Sequence, residues 1–255
     1  MVVKIRKRRK SANVPKEEVG QEAREVKWPN SDEVCRQVAE AQDGVCLLAF
    51  SRGKDSWGAW VQLRRYFRRI IPYFCADVPG LRFIEEDLKR SEDIMGVPIL
   101  RYVSPSLFSA LDRGAWQTPA QAKVFDGMEM FRDLNNFDVD ADVRARSGVD
   151  ENTLVAHGWR IHDSPRRRQQ LVSSGPIWDG WGWFEPIWDW THNRLEQELR
   201  DAKIRLPVDY RLFGRSFEGV RHRFLEPLRT AYPDDYERVL NWFPLADADA
   251  FRRTL

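Results

Sequence analysis

The sequence predicts an α/β protein: a doubly wound, mostly parallel sheet with a helical C-terminal part. Three observations lead there. Val45 to Phe50 is a continuous apolar run of strand length, the pattern of a strand buried on both faces of a parallel sheet. Strand and helix patterns then alternate through residue 103. Between the first strand and its helix lies a tight polar turn, "SRGKDS", from Ser51 to Ser56.

Taken in order, Asn30-Ser31 reads as a helix start, with Val34, Val38 and Ala41 on one face and Gly44 as the stop. After the Val45–Phe50 strand, a helix from Asp55 carries Trp57, Trp60, Val61 and Phe67. Arginines gather toward its end, where the helix dipole favours cations. "IIPYFCADV" is a second strand, "GLRFIEEDLKRSEDIM" a second helix and "VPILRYV" a third strand. Ser104 to Asp150 reads as helices with polar links, and "NTLVAHG" as a fourth strand. An aromatic hairpin or loop, "GPIWDGWGWFEPIWDW", precedes a helix opening at Thr191. The last fifty or so residues look helical, broken by Pro207, Pro227, Pro233 and Pro244.

Charge is uneven along the chain. Residues 1–10 hold six basic side chains and no acid, leaving 35 basic against 39 acidic in the remainder. Residues 1–25 therefore read as a disordered basic arm suited to DNA or RNA phosphates. Residues 26–235 read as the nucleotide-binding domain and 236–255 as a helical tail. No window approaches the ~18 apolar residues of a membrane span and no apolar core follows the basic start, so a cytoplasmic protein without membrane contact is expected, with homo-oligomerisation open. Cys35, Cys46 and Cys75 have neither disulfide nor zinc spacing. Cys46 and Cys75 fall in predicted strands and are expected to point into the sheet core. His157, His162, His192 and His222 are scattered, without metal-ligand spacing, so no metal site is assigned. Trp178, Trp181, Trp183, Trp188 and Trp190 read first as a local aromatic core and second as a stacking platform for a base.

The turn carries the chemistry. In an open parallel sheet, ligands bind beyond the carboxyl ends of the strands. There Gly53 lets backbone approach a ligand, successive amides form an anion nest, and the helix that follows presents a positive end. Lys54 adds a cation, and Ser51 and Ser56 add hydroxyls. Asp55 suits a helix N-terminus or a phosphate-held magnesium ion. The pattern is not G-x-x-x-x-G-K-[ST], since Leu48 stands at the first glycine and Asp55 follows the lysine.

"AFSRGKDS" resembles the S-G-G-K-D-S pyrophosphate loop of the adenine nucleotide α-hydrolase-like (PP-loop) fold, and within it the phosphoadenosine phosphosulfate (PAPS) reductase family. Three further segments agree in order. "PYFCADVPGLRFIEEDLK" is similar to the second strand and helix, with Asp77 at the strand end. "AHGWRIHDSPRRR" resembles a G-x-R-x-x-E/D-S-x-x-R segment, which implies Gly158, Arg160, Asp163, Ser164 and Arg167 or Arg168 in the nucleotide site. "FEPIWDWTHNRLEQELRDAKIRLPVDY" looks like the P-L-x-D-W-T segment and its helix. The resemblance implies a Rossmann-like fold and a ligand that is ATP, PAPS or adenosine phosphosulfate, with magnesium. Ser51, Arg52, Gly53, Ser56 and Asp77 would hold the nucleotide beside the residues just named, and Lys54, Asp55 and Arg160 would act in catalysis.

Two departures redirect the expected activity. Arg52 replaces a loop glycine, which either forbids a positive φ there or adds a guanidinium for phosphate. No cysteine follows Cys75, so the family's catalytic thiol and iron–sulfur ligands have no counterpart, and no cluster is expected. The leading expectation is an ATP pyrophosphatase-type, adenylylating transferase whose acceptor the sequence leaves open, nucleic acid (as in nucleic acid modification) being one candidate. The alternatives are a sulfonucleotide reductase (an oxidoreductase) using an external thiol, and a non-catalytic nucleotide- or nucleic-acid-binding protein on the same scaffold.

Overall fold

The computed structural model describes residues 28–122 and 134–248, so the expected basic arm lies outside the described residues. α1 (Ser31–Ala41) opens where expected, the Asn30 side chain accepting the Glu33 amide at 2.9 Å. Val34, Cys35 and Val38 form its buried face, while Ala41 is exposed. Asp43 and Gly44 turn the chain at positive φ into β1 (Val45–Ala49). There follow α2 (Lys54–Leu63), β2 (Arg69–Ala76), α3 (Arg82–Met95), β3 (Leu100–Val103), α4 (Pro105–Asp112) and α5 (Pro119–Ala122). The chain continues through α6 (Asn136–Ser147), β4 (Val155–Ala156), α7 (Pro165–Ser174) and the hairpin β5 (Ile177–Trp178) and β6 (Trp183–Phe184). It closes with α8 (His192–Asp201), α9 (Val208–Phe213), α10 (His222–Ala231) and α11 (Pro233–Trp242).

The six strands lie in the order β3-β2-β1-β4-β6-β5, all parallel except the edge strand β5. β1 is central, Leu47 pairing with Ile71 of β2 and Val155 of β4. Successive strand residues face opposite sides. Leu47 accordingly packs with Tyr73, Val139 and Val143 on the α6 face, whereas Cys46 and Leu48 join the larger cluster on the other. Both faces of β1 are covered, and its apolar run is uninterrupted for that reason. From β1 the chain moves outward to β2 and β3 in one direction, and β4 and the hairpin lie in the other. The carboxyl ends of β1 and β4 thus flank a topological switch point, where such sheets open a crevice.

α2 is held against α8 at close range. A Cβ on Gly58 would run into Leu195 Cδ1 of α8, so glycine suits the close approach of the two helices. α11 runs across residue 235, the boundary expected for the tail. Its Tyr236 and Val239 join the main core, and Asp235 accepts the Arg82 and Phe83 amides at the start of α3 at 2.7 and 3.1 Å. The tryptophans divide: Trp178, Trp188 and Trp190 are buried, Trp183 is half-buried and Trp181 is exposed.

Candidate functional site

β1 ends at Ala49, and the chain turns through Ser51, Arg52 and Gly53 into α2. Arg52 adopts φ +65°, the left-handed conformation that glycine would take without strain. The side chain shows why arginine stands there. It is 2% exposed, with Nε 3.0 Å from Asp87 Oδ2 of α3 and Nη2 2.6 Å from Asp209 Oδ1 of α9. The Phe74 and Phe83 rings lie 5.8 Å from its Cζ. The guanidinium ties the turn to two helices, so the expectation that arginine forbids a positive φ is overturned, and its charge is answered by Asp87 and Asp209.

The first turn of α2 is set by hydroxyls. Ser56 Oγ donates to the Gly53 carbonyl at 2.9 Å, and Ser51 Oγ donates to Ser56 Oγ at 3.2 Å. Tyr210 Oη of α9 accepts the Lys54 amide at 3.0 Å and shares a hydrogen bond with Ser216 Oγ at 3.1 Å. The second Asp209 oxygen accepts the Phe217 amide at 3.0 Å. α9 and the loop after it therefore clamp the turn from behind. Asp87, Asp209, Tyr210 and Ser216 have no expected role in the sequence; the last three lie over 150 residues from the turn.

From the other side comes the segment after β4. A Cβ on Gly158 would lie 2.8 Å from both the carbonyl carbon and the oxygen of Asp55 and 3.1 Å from the Ser56 amide nitrogen. Only glycine permits this approach of backbone to backbone. Arg160, 4% exposed, then spans the contact: its Nε is 2.9 Å from Asp55 Oδ1 and its Nη2 2.7 Å from Asp163 Oδ1, while Nη1 donates to the Trp190 carbonyl at 3.4 Å. Asp55 Oδ1 also pairs with Lys54 Nζ at 3.2 Å. Arg167 pairs with Asp163 at 2.8 Å and stacks its Cζ 4.9 Å from the Trp159 ring centre. Ser164 caps α7 by accepting the Arg167 amide. Arg166, Arg168 and His162 are exposed. The arginines expected to converge on a ligand instead divide into a buried brace, a stacked pair member and solvated side chains.

A cleft of about 270 Å³ opens beside the turn at the switch point, lined by Ser51 and Arg52, by Cys75 and Asp77 of the β2 end, and by Asp140 and His157. Asp77 Oδ1 accepts Ser106 Oγ at 2.8 Å, and Asp77 also borders a second cavity of about 330 Å³ with Ser106, Trp116 and Arg221. Cys75 packs at the edge of the smaller core cluster on the α6 face. It is half-buried and lines the cleft, because it shares a strand face with Tyr73 and α6 covers that face incompletely. Burial pushes its thiol up to about 12, so it stays protonated. Asp140 accepts Tyr73 Oη at 2.5 Å and Trp183 Nε1 at 3.0 Å, and burial holds its carboxyl above the ordinary range. No group of three or more His, Cys, Asp or Glu side chains among the described residues is placed to hold a metal ion, and no described helix is long and apolar enough to cross a membrane.

No family model matches the chain. No curated protein matches it. Solved structures that are similar to it at low identity include the following two. A U34-tRNA thiolase, NcsA from Methanococcus maripaludis, described with its 4Fe-4S cluster, is 14% identical with a TM-score of 0.45, over 85% of this chain and 78% of that one. The NH3-dependent NAD synthetase from Campylobacter jejuni, in complex with a nitrate ion, is 16% identical with a TM-score of 0.42, over 88% of this chain and 95% of that one.

Proposed function

We propose that the cleft binds an adenine nucleotide with its pyrophosphate portion on the Ser51–Ser56 turn, and that the protein transfers the adenylyl group to an acceptor. The observation that carries this reading is the turn's position. It joins β1 to α2 at the switch point and opens on a cleft whose mouth carries Ser51 and Asp77. The PP-loop resemblance supports adenine as the base. Lys54, about one quarter exposed and paired with Asp55, exchanges that carboxylate for a phosphate oxygen. Asp55 and Arg160 hold the start of α2 in place.

Asp77 suits a magnesium ion carried by such phosphates, since its carboxylate lines the cleft and has one oxygen held by Ser106. When bound, the ion neutralises charge gathering on the leaving pyrophosphate.

Calorimetric titration of wild type and Lys54→Ala with ATP, adenosine phosphosulfate and PAPS tests the reading. Loss of one charge-assisted phosphate contact removes about 1.5–3 kcal/mol, or roughly ten- to a hundred-fold in affinity. Equal affinity of the two proteins for whichever ligand binds, or no binding of any, refutes it.

A further inference from the structure

Among the described residues, four buried side-chain polar atoms lack a hydrogen-bond partner, and two of them face each other across the wall of the cleft. They are His157 Nδ1, at the end of β4, and Glu185 Oε1, at the end of β6, 3.9 Å apart. The backbone fixes both residues. The His157 amide donates to the Phe184 carbonyl at 3.0 Å, and Glu185 Oε2 accepts the Trp159 amide at 2.8 Å. The imidazole packs edge-on against Trp183, ring centres 4.8 Å apart, and lines the cleft shared by Ser51 and Asp77. Glu185 is fully buried. A buried carboxyl with one oxygen unsatisfied is unfavourable for folding, and the turn's own braces make no use of it.

On the adenylyl-transfer reading above, we propose that His157 is the proton acceptor of the cleft and that Glu185 is its positioning residue. An acceptor group X–H attacks the α-phosphorus. The X–P bond forms, the bond from phosphorus to the bridging oxygen breaks, and pyrophosphate leaves with that electron pair. The X–H proton goes to His157 Nε2, while the proton on Nδ1 passes to Glu185 Oε1. The pair begins as carboxylate and neutral imidazole, and ends as carboxylic acid and neutral imidazole.

Desolvation favours that direction. Burial drives the Glu185 carboxyl well above the ordinary range and lowers the imidazole to about 4. A site that takes up one proton to become neutral is therefore a stronger base than the buried imidazole would be without Glu185. Arg167 of α7 disfavours the imidazolium and favours the carboxylate, and Asp163 disfavours the carboxylate. Across the cleft stand Asp140 of α6 and Cys75 and Asp77 of the β2 end. The 3.9 Å separation shortens by about 1 Å when a ligand closes the site, as catalytic hydrogen bonds commonly do.

The test uses the full chain with ATP as probe and pyrophosphate release as readout. His157→Gln should bind ATP within about threefold of wild type and release pyrophosphate roughly a hundredfold more slowly. Wild-type release should rise with pH through an apparent value above the carboxylate range. Glu185→Gln should slow release and lose that rise, leaving a rate flat above about pH 6. ¹⁵N-histidine NMR, with His157 assigned by His157→Gln, reads the coupling without turnover: in wild type its signal should move with the same apparent value, and in Glu185→Gln it should not. Wild-type release rates in His157→Gln, or an imidazole that titrates identically with and without Glu185, overturn the proposal. If wild type binds no ATP, the nucleotide reading falls, and the NMR coupling still decides whether the two side chains share a proton.

Discussion

Replacing Arg52 by glycine separates the two jobs an arginine in this turn could do. The substitution relieves a left-handed arginine, worth about 1 kcal/mol. It also removes a guanidinium held 3.0 Å from Asp87 and 2.6 Å from Asp209, whose side chain is 1% exposed. Breaking a buried pair by deleting one partner destabilises by about 3–5 kcal/mol. The lower half of that range applies, because Asp87 keeps Arg90 and Asp209 keeps the Phe217 amide. The net loss is then about 2–3 kcal/mol, or roughly 4–12 °C in Tm for a chain of this length. Adding Asp209→Asn to the glycine variant should recover part of it, since the uncompensated charge is gone. Thermal and urea unfolding measure the loss. ATP titration at low temperature, where the variant stays folded, measures the other job and should return an affinity within about threefold of wild type. A glycine variant as stable as wild type but more than about tenfold weaker for ATP would refute this, and would make Arg52 a phosphate ligand after all.

Two further outcomes follow from the same geometry. Gly158→Ala drives a Cβ to 2.8 Å from the Asp55 carbonyl, and backbone cannot yield as a side-chain tip can. It should cost about 1–3 kcal/mol of stability and weaken ATP binding together, measurable by urea unfolding and calorimetry. Glu185→Gln should change the pH dependence of folding. Burial raises the Glu185 carboxyl in the folded state, so its stabilising share is present below the ordinary carboxylate value and fades as pH rises toward the folded one. The glutamine variant should therefore gain on wild type as pH rises above the ordinary carboxylate value in unfolding experiments, and a constant difference would contradict the assignment.

What the sequence made legible is what is local. The apolar run of β1, the turn behind it and the helix starts at Asn30 and Thr191 depend on residues a few positions apart, and each stands where its pattern placed it. Long-range partners were not legible. Whether an arginine at residue 52 meets phosphate or carboxylate is decided by Asp87 and Asp209, 35 and 157 residues away. Arg160, Arg167 and Arg168 are close in sequence, yet opening α7 at Pro165 turns Arg168 to solvent while Arg160 is drawn beneath the turn. That Cys75 also lines the cleft was not legible, because strand alternation states which face a residue takes, not how far a helix covers that face. His157 and Glu185 carry no spacing signal, since they meet only where β4 and β6 end side by side.

The charges around the turn also say which cation can answer a ligand. Lys54, Asp55, Arg160, Asp163 and Arg167 form one chain of ion pairs in which the two carboxylates each sit between two cations. Three positive charges against two negative leave one in excess. It cannot be spent from the middle of the chain, because Arg160 is 4% exposed and withdrawing it would strand Asp55 and Asp163. Arg167 stands at one end with its guanidinium stacked on Trp159, so moving it gives up that contact as well as its ion pair. Lys54 stands at the other end on the helix that follows the turn, its ammonium held by one contact at 3.2 Å to a carboxylate that keeps Arg160 when the lysine leaves. Swinging Lys54 to a phosphate thus leaves no charge uncompensated. That makes the lysine the mobile cation of the turn, and Arg160 the fixed one that lets it move.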